Sequence, residues 1–272
     1  MKRRNILLSF SLTTLLFLTS AAGAFASSSE VEVQSIPDRL PVPEGYEIIQ
    51  DFEPKQESGK SNVQIEAAVS ASPMTFGIQS TEAADESEQI DYEVIENTTK
   101  HYQDSKNVKT NETLSQYRAD VTLAAVNRQM GGNTTDANQL IKVTVTVFYH
   151  EVTKGLQTFV GLDKVYYRYD KGSKYSSSKV FYGNRYGGDL LQTGPGINGT
   201  AVLEREPLVY IIEKITLGKT YMRQPFPNVD EVLVGGLLTE MGVKTQSRWY
   251  DHNSKLLFNL DLNALIQGKV TP

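Results

Sequence analysis

Apolar residues that recur at every second position constrain this chain more than any other feature in it. Ile141, Val143, Val145, Val147 and Tyr149 alternate with Lys142, Thr144 and Thr146. An extended backbone therefore puts the first set on one face and the second on the other. The apolar set is mostly β-branched, which suits a pleated surface with one side buried and one side wet. Tyr117, Ala119, Val121, Leu123 and Ala125 repeat the pattern against Arg118, Asp120 and Thr122, and Gly131-Gly132-Asn133 marks the exit. Further extended runs are expected at 160–169, 179–182, 200–203, 208–216, 232–240, 245–250 and 256–262, each bounded by Gly, Asn, Asp or Pro. The last two runs flank Asp251-His252-Asn253-Ser254 and read as a hairpin, with Trp249 joining Leu256, Phe258, Leu260 and Leu262 in a core. One short helix is expected at 263–267. About nine short strands at this spacing imply an all-β fold, an antiparallel β-sandwich, because a parallel sheet needs crossover helices.

The chain divides into three parts. Residues 1–26 read as a signal peptide: Lys2, Arg3 and Arg4 precede an apolar run over 6–22, and Ala24-Phe25-Ala26 supplies small residues at the −3 and −1 positions of a cleavage site. That run is punctuated by Ser9, Ser11, Thr13 and Thr14 and is short against the about 20 apolar residues of a spanning helix. Sec-type export is expected, with a product that is secreted or held at the cell wall and keeps no membrane anchor after cleavage. Residues 27–97 hold 16 acidic against three basic residues, a net of −13, with five of the ten prolines and only four aromatic residues. So little apolar surface does not offset an ordering cost of about 1 to 2 kcal/mol per residue, and an acidic, disordered linker or pro-segment is expected. Residues 98–272 carry 21 basic and 16 acidic residues, a net of +5, and eleven of the fourteen tyrosines follow Thr110. This is the expected β-sandwich domain, large enough to bury roughly 70% of its unfolded surface.

This layout closes on an Arg-Trp hairpin and resembles small secreted proteins of unknown role from Gram-positive bacteria. The resemblance implies an extracellular address and no chemistry.

The chain has no cysteine, which excludes disulfides, thiol nucleophiles, Cys-ligated zinc and iron-sulfur clusters. His150-Glu151 lacks the second histidine one helical turn on that a zincin requires, and it ends a strand, so His150 is expected to face solvent there. His252 beside Asp251 reads as turn polarity, and no G-x-S-x-G elbow accompanies it. Gly194 to Gly199 lacks the Lys-Ser/Thr of a phosphate loop and reads as a long turn. No cofactor and no metal are expected. Among Asp163, Asp170, Asp189, Glu204, Glu206 and Glu213 the fold can bring two carboxylates together for glycoside hydrolysis, and nothing in the sequence selects a pair.

One stretch stands out in composition. Tyr166, Tyr167, Tyr169, Tyr175, Tyr182 and Tyr186 fall within 21 residues, interleaved with Arg168, Lys171, Lys174, Lys179, Asn184 and Arg185 and followed by Gly187-Gly188-Asp189. Tyrosine offers a stiff, flat area and a hydroxyl, and neighbouring Asn, Asp and Arg can orient sugar hydroxyls. The bland alternative is that tyrosine is simply a good strand residue. The candidate ligand-binding residues are Tyr166, Tyr167, Tyr169, Tyr182, Asn184, Arg185, Tyr186 and Asp189. A net of +5 over 175 residues is no basic stripe, which argues against nucleic acid. The function expected from the sequence is a secreted, non-catalytic β-sandwich that contacts glycan or the cell envelope. Two alternatives stand beside it: a secreted hydrolase with fold-assembled carboxylates, and a secreted toxin or bacteriocin-like factor.

Overall fold

The computed structural model describes residues 30–53, 63–70, 90–127, 139–173, 182–209, 212–226, 229–235 and 239–266. They form fourteen strands: β1 Val31–Val33, β2 Tyr46–Asp51, β3 Val63–Ser70, β4 Ile90–Asn107, β5 Thr113–Asn127, β6 Gln139–Lys154 and β7 Gln157–Lys171. The remainder are β8 Tyr182–Pro195, β9 Ala201–Pro207, β10 Glu213–Lys214, β11 Thr220–Arg223, β12 Val232–Leu233, β13 Glu240–Tyr250 and β14 Leu256–Ile266. All pairings are antiparallel. An eight-stranded sheet runs β1-β11-β7-β6-β5-β4-β2, with β12 also on β7. A six-stranded sheet runs β10-β8-β13-β14-β3, with β9 also on β8. The two pack face to face as an all-β sandwich, and no helix occurs among the described residues.

Alternation does what the sequence pattern expects. Val143, Val145 and Val147 are each no more than 1% exposed, and they share one inter-sheet core with Val121, Leu123, Tyr167, Tyr169, Leu190, Val243 and Leu260. Trp249 and Phe258 are both 0% exposed and close that core from the hairpin. The indole sits directly over Gly183, where a Cβ would come within 2.5 Å of the ring, and its Nε1 donates to Ser247 Oγ at 3.0 Å. Asp251 makes the hairpin turn by accepting from the amides of Asn253 at 2.8 Å and Lys255 at 2.9 Å.

Five expectations need correction. The short helix at 263–267 is instead strand as far as Ile266: Leu262, Ala264 and Ile266 keep the buried alternation and pair with β3. Among the described residues, the run at 208–216 is strand only at Glu213–Lys214, and the run at 232–240 only at Val232–Leu233 and at Glu240, which begins β13. The turn expected from Gly194 begins later, because β8 continues to Pro195 and pairs with β9. The acidic stretch 27–97 holds β1, β2, β3 and the start of β4, so its described residues are not a disordered linker. Its strands attach by backbone pairing, β1 to β11, β2 to β4 and β3 to β14. Several of its acids meet cations: Glu30 with Arg185, Glu32 with Lys219, Asp38 with Arg118 and Asp51 with Arg39. Residues 1–26 lie outside the described residues.

Between β1 and β2 the chain crosses the outer face of the eight-stranded sheet as a strap. Leu40, 7% exposed, packs there on Tyr102, Phe148 and Tyr166, with Val33, Ile36 and Met222 at the margin. Arg118 ties the strap down by donating to Pro37 O at 3.0 Å while its Nε holds Asp120 Oδ2 at 2.9 Å.

Candidate functional site

The tyrosine-rich stretch does not form one surface, because consecutive strand residues point to opposite faces. Tyr166 lies under the strap, 4% exposed. Tyr167 and Tyr169 face the other way, into the inter-sheet core, at 1% and 2%. Arg185 also points inward. Tyr182, Asn184, Tyr186 and Asp189 are half-buried on the outer face of the six-stranded sheet. Tyr175 lies outside the described residues. Four of the eight candidates therefore share one outer face, and Tyr166, Tyr167, Tyr169 and Arg185 do not lie on it.

Those four acquire neighbours from the hairpin that the compositional reading passed over. Tyr182 pairs with Tyr250 across β8 and β13, their rings stacked at 5.0 Å and 12°. Arg248, opposite Asn184, lays its guanidinium 4.2 Å above the Tyr186 ring. A β-bulge sets Tyr186: Gln246 pairs with Gly187 and Ser247 with Arg185, leaving Tyr186 as the extra residue. Gly187 has no side chain, and a Cβ there would stand 2.2 Å from Gln246 Oε1, so the glycine makes room for that amide. The Tyr186 hydroxyl donates to Asp261 Oδ1 at 3.0 Å. Burial and the Asp261 carboxylate push the Tyr186 hydroxyl up to about 12. Burial likewise raises Asp261 above the ordinary carboxylate value, against the opposing pull of Tyr186 and Arg248. Asp189 is held by Arg205 and lies opposite Lys244. The signal that pointed to these partners was the alternation itself, since every residue flanking buried Trp249 must face outward.

Each stacked ring gives one face to its neighbour, so this surface offers hydroxyl edges, amides and a guanidinium more than open ring faces. Such a surface can make directional hydrogen bonds to a polyhydroxyl molecule and would close over little of it.

The catalytic candidates resolve differently. His150 does not face solvent: its side chain is 16% exposed, with Nδ1 2.8 Å from Asp163 and Nε2 3.2 Å from Glu231. Gly161 makes room for the ring, since a Cβ there would lie 2.5 Å from it. Burial disfavours the charged imidazole, but the two carboxylates outweigh it and push its pKa up to about 10. A ring held as a cation between two acids is an ion staple, not a base. His101 lies in a ladder of rings, 4.3 Å from Phe52 and 4.6 Å from Tyr117, which continues at 5.1 Å to Tyr149. Its Nε2 meets Asp104 at 2.8 Å, and Ser115 Oγ donates to that same carboxylate oxygen at 2.6 Å. The acid stands between serine and imidazole, the reverse of the order that activates a hydroxyl. His252 is exposed on the hairpin turn.

Of the six acids considered for hydrolysis, Asp163 holds His150, Asp170 holds Arg168, Asp189 holds Arg205, Glu206 holds Arg223 and Glu213 holds Arg185, while Glu204 is exposed. Five of them thus serve as partners of a cation. No cluster of three or more His, Asp and Glu with metal-holding geometry occurs among the described residues. Comparison with family models, curated proteins and solved structures gave no match.

Proposed function

We propose that this chain is a secreted bacterial β-sandwich that binds glycan or cell-wall polymer, without catalysis, through the outer face of its six-stranded sheet. The observation that carries the reading is the row formed by the stacked Tyr182 and Tyr250 with Arg248 over Tyr186. Asn184 and Gln246 on the same two strands, and Asn259 and Asp261 on the adjoining β14, are half-buried around it. Tyr182, Tyr250, Arg248, Tyr186 and Asp261 are already held by neighbours, so a ligand that binds here orders few new rotamers. Basic leader residues followed by an apolar run support export, and a wall or surface polymer is the polyhydroxyl ligand such a protein would meet. The hydrolase reading finds less support, because five of the six candidate acids are each held by a cation.

The test uses the full mature chain in a peptidoglycan pull-down and on a glycan array. Retention by wild type and at least tenfold weaker retention by the Tyr182→Ala/Tyr250→Ala double variant are expected. Leu203→Ala, a change at an exposed residue of β9, is expected to bind as wild type does. A folded wild-type chain that retains neither polymer ends the proposal.

A further inference from the structure

Along the side of the sandwich where β1 and β11 border one sheet and β10 the other, the two sheets each contribute a buried arginine: Arg185 from β8 and Arg223 from β11, both with side chains 8% exposed. Two guanidiniums in a nearly dry site carry a large desolvation cost unless anions complete them. Glu213 and Glu206 supply part of that, and Arg223 also donates to Pro207 O at 3.0 Å and Leu208 O at 2.8 Å. Glu30 adds a third carboxylate, which reaches both guanidiniums. Its carboxylate takes the Arg185 fork in both arms, Oε2 from Nη1 at 2.8 Å and Oε1 from Nη2 at 2.9 Å, the planar pairing for which arginine is suited. The Tyr167 hydroxyl donates to the same carboxylate. Tyr167 and Tyr221 stack at 5.6 Å and carry the Arg185 guanidinium on their rings at 5.1 and 5.4 Å. Arg223 Nε is buried without a hydrogen bond and is 3.8 Å from Glu30 Oε2.

Everything but the carboxylate belongs to the body of the sandwich. Glu30 itself arrives on a short arm: β1 is three residues long, and its other ion pair, Glu32 with Lys219, lies between side chains 53% and 42% exposed, where such pairs add little. A built receptor is thus occupied by the carboxylate of the residue that precedes a three-residue edge strand. We infer that Arg185, Arg223, Tyr167 and Tyr221 form a carboxylate-binding site, that Glu30 is its internal occupant, and that an external carboxylate takes the same place once the arm is displaced. The spare Arg223 Nε–H is the donor that a carboxylate seated slightly deeper than Glu30 would engage.

The experiment is chemical rescue of the mature Glu30→Ala chain with acetate, read by Tm against sodium chloride of equal ionic strength. Glu30→Ala is expected to lower Tm, and acetate to recover most of the loss along a saturating curve. Glu30→Gln keeps an amide in the receptor and is expected to gain nothing from acetate. If Glu30→Ala does not fold, the refolding yield in acetate against chloride is read in the same way. Equal responses to acetate and chloride, the same rise in all three chains, or an unchanged Tm in Glu30→Ala would each overturn the inference.

Discussion

The two outer faces of this sandwich start from the same kind of sequence, tyrosine and charge in alternation with a buried row, and end in opposite states. On the eight-stranded sheet the strap brings Leu40 onto Tyr102, Phe148 and Tyr166, and all four are less than 8% exposed. Even polar groups of that face are buried and paired there, as with Thr146 donating to Asp120 at 2.7 Å. On the six-stranded sheet, Tyr182, Tyr186, Arg248, Tyr250 and Asp261 all stay half-buried. The lesson is that tyrosine content says nothing of role. What decides is whether another segment of the chain is laid across the face, and therefore whether the hydroxyls and guanidiniums are spent inside the protein or left for a ligand.

The largest effect that would sharpen this contrast is on the covered face. Phe148 has 0% exposure and edge-on contacts to Tyr102 and Tyr166, with ring centroids 6.2 and 5.7 Å away. Phe148→Ala is expected to cost about 3 to 5 kcal/mol by urea unfolding, as for other buried rings. A cost comparable to an exposed site would mean that the strap does not seal this face.

Next is the staple at His150. Removing a cation from between two carboxylates leaves them uncompensated, and His150→Gln is expected to cost about 2 to 4 kcal/mol. The pH dependence has a definite sign. Because the folded-state pKa of His150 is raised, from 6.5 to about 10, its contribution is whole below 6.5, shrinks as pH climbs and is gone above about 10. The pKa of Glu231 is lowered by His150 despite burial, so its share is whole above the ordinary carboxylate value and is lost in acid. The gap in stability between wild type and His150→Gln should be widest near pH 6 and close by pH 10, measured by urea titration across that range. A gap independent of pH would reduce His150 to packing.

What could be read from the sequence follows from the same physics. Alternation located β5, β6 and the β13–β14 hairpin because each has one face against the core, and there the period of two is enforced by burial. It missed β1 to β4: β1, β2 and β3 join by backbone pairing at sheet edges, and β4 lies between β5 and β2 with most of its residues polar. A net of −13 over 27–97 looked like a reason not to fold, yet its partners lie far along the chain, as with Glu30 and Arg185, 155 residues apart. The site was half legible for the same reason. A count of tyrosines over 21 residues ignores which face each occupies, whereas applying the alternation to the hairpin would have put Arg248 and Tyr250 outside as soon as Trp249 was put inside.

A smaller effect is expected on the open face. Tyr182→Ala removes a half-buried ring stacked on Tyr250, and its cost in stability is expected to stay at about 1 kcal/mol or less, against the several of Phe148→Ala. Its cost in polymer binding should be the larger of the two. A variant that loses stability as Phe148→Ala does would erase the distinction between the faces.

The smallest effect carries the opposite sign. Burial raises Asp261 above its ordinary value of 3.8 in spite of Tyr186 and Arg248, so the folded protein holds that proton more tightly than the unfolded chain. By linkage, Asp261 weakens the fold at neutral pH, and the penalty fades as pH falls through its folded pKa. Asp261→Asn keeps an oxygen to accept from the Tyr186 hydroxyl while removing the charge. It is therefore expected to stabilise the chain slightly at pH 7, an advantage that disappears in acid. Thermal unfolding of both chains at pH 7 and pH 3 measures it. A clear destabilisation at pH 7 would show that the Asp261 charge is wanted by Arg248, and would make this corner of the open face as internally committed as the covered one.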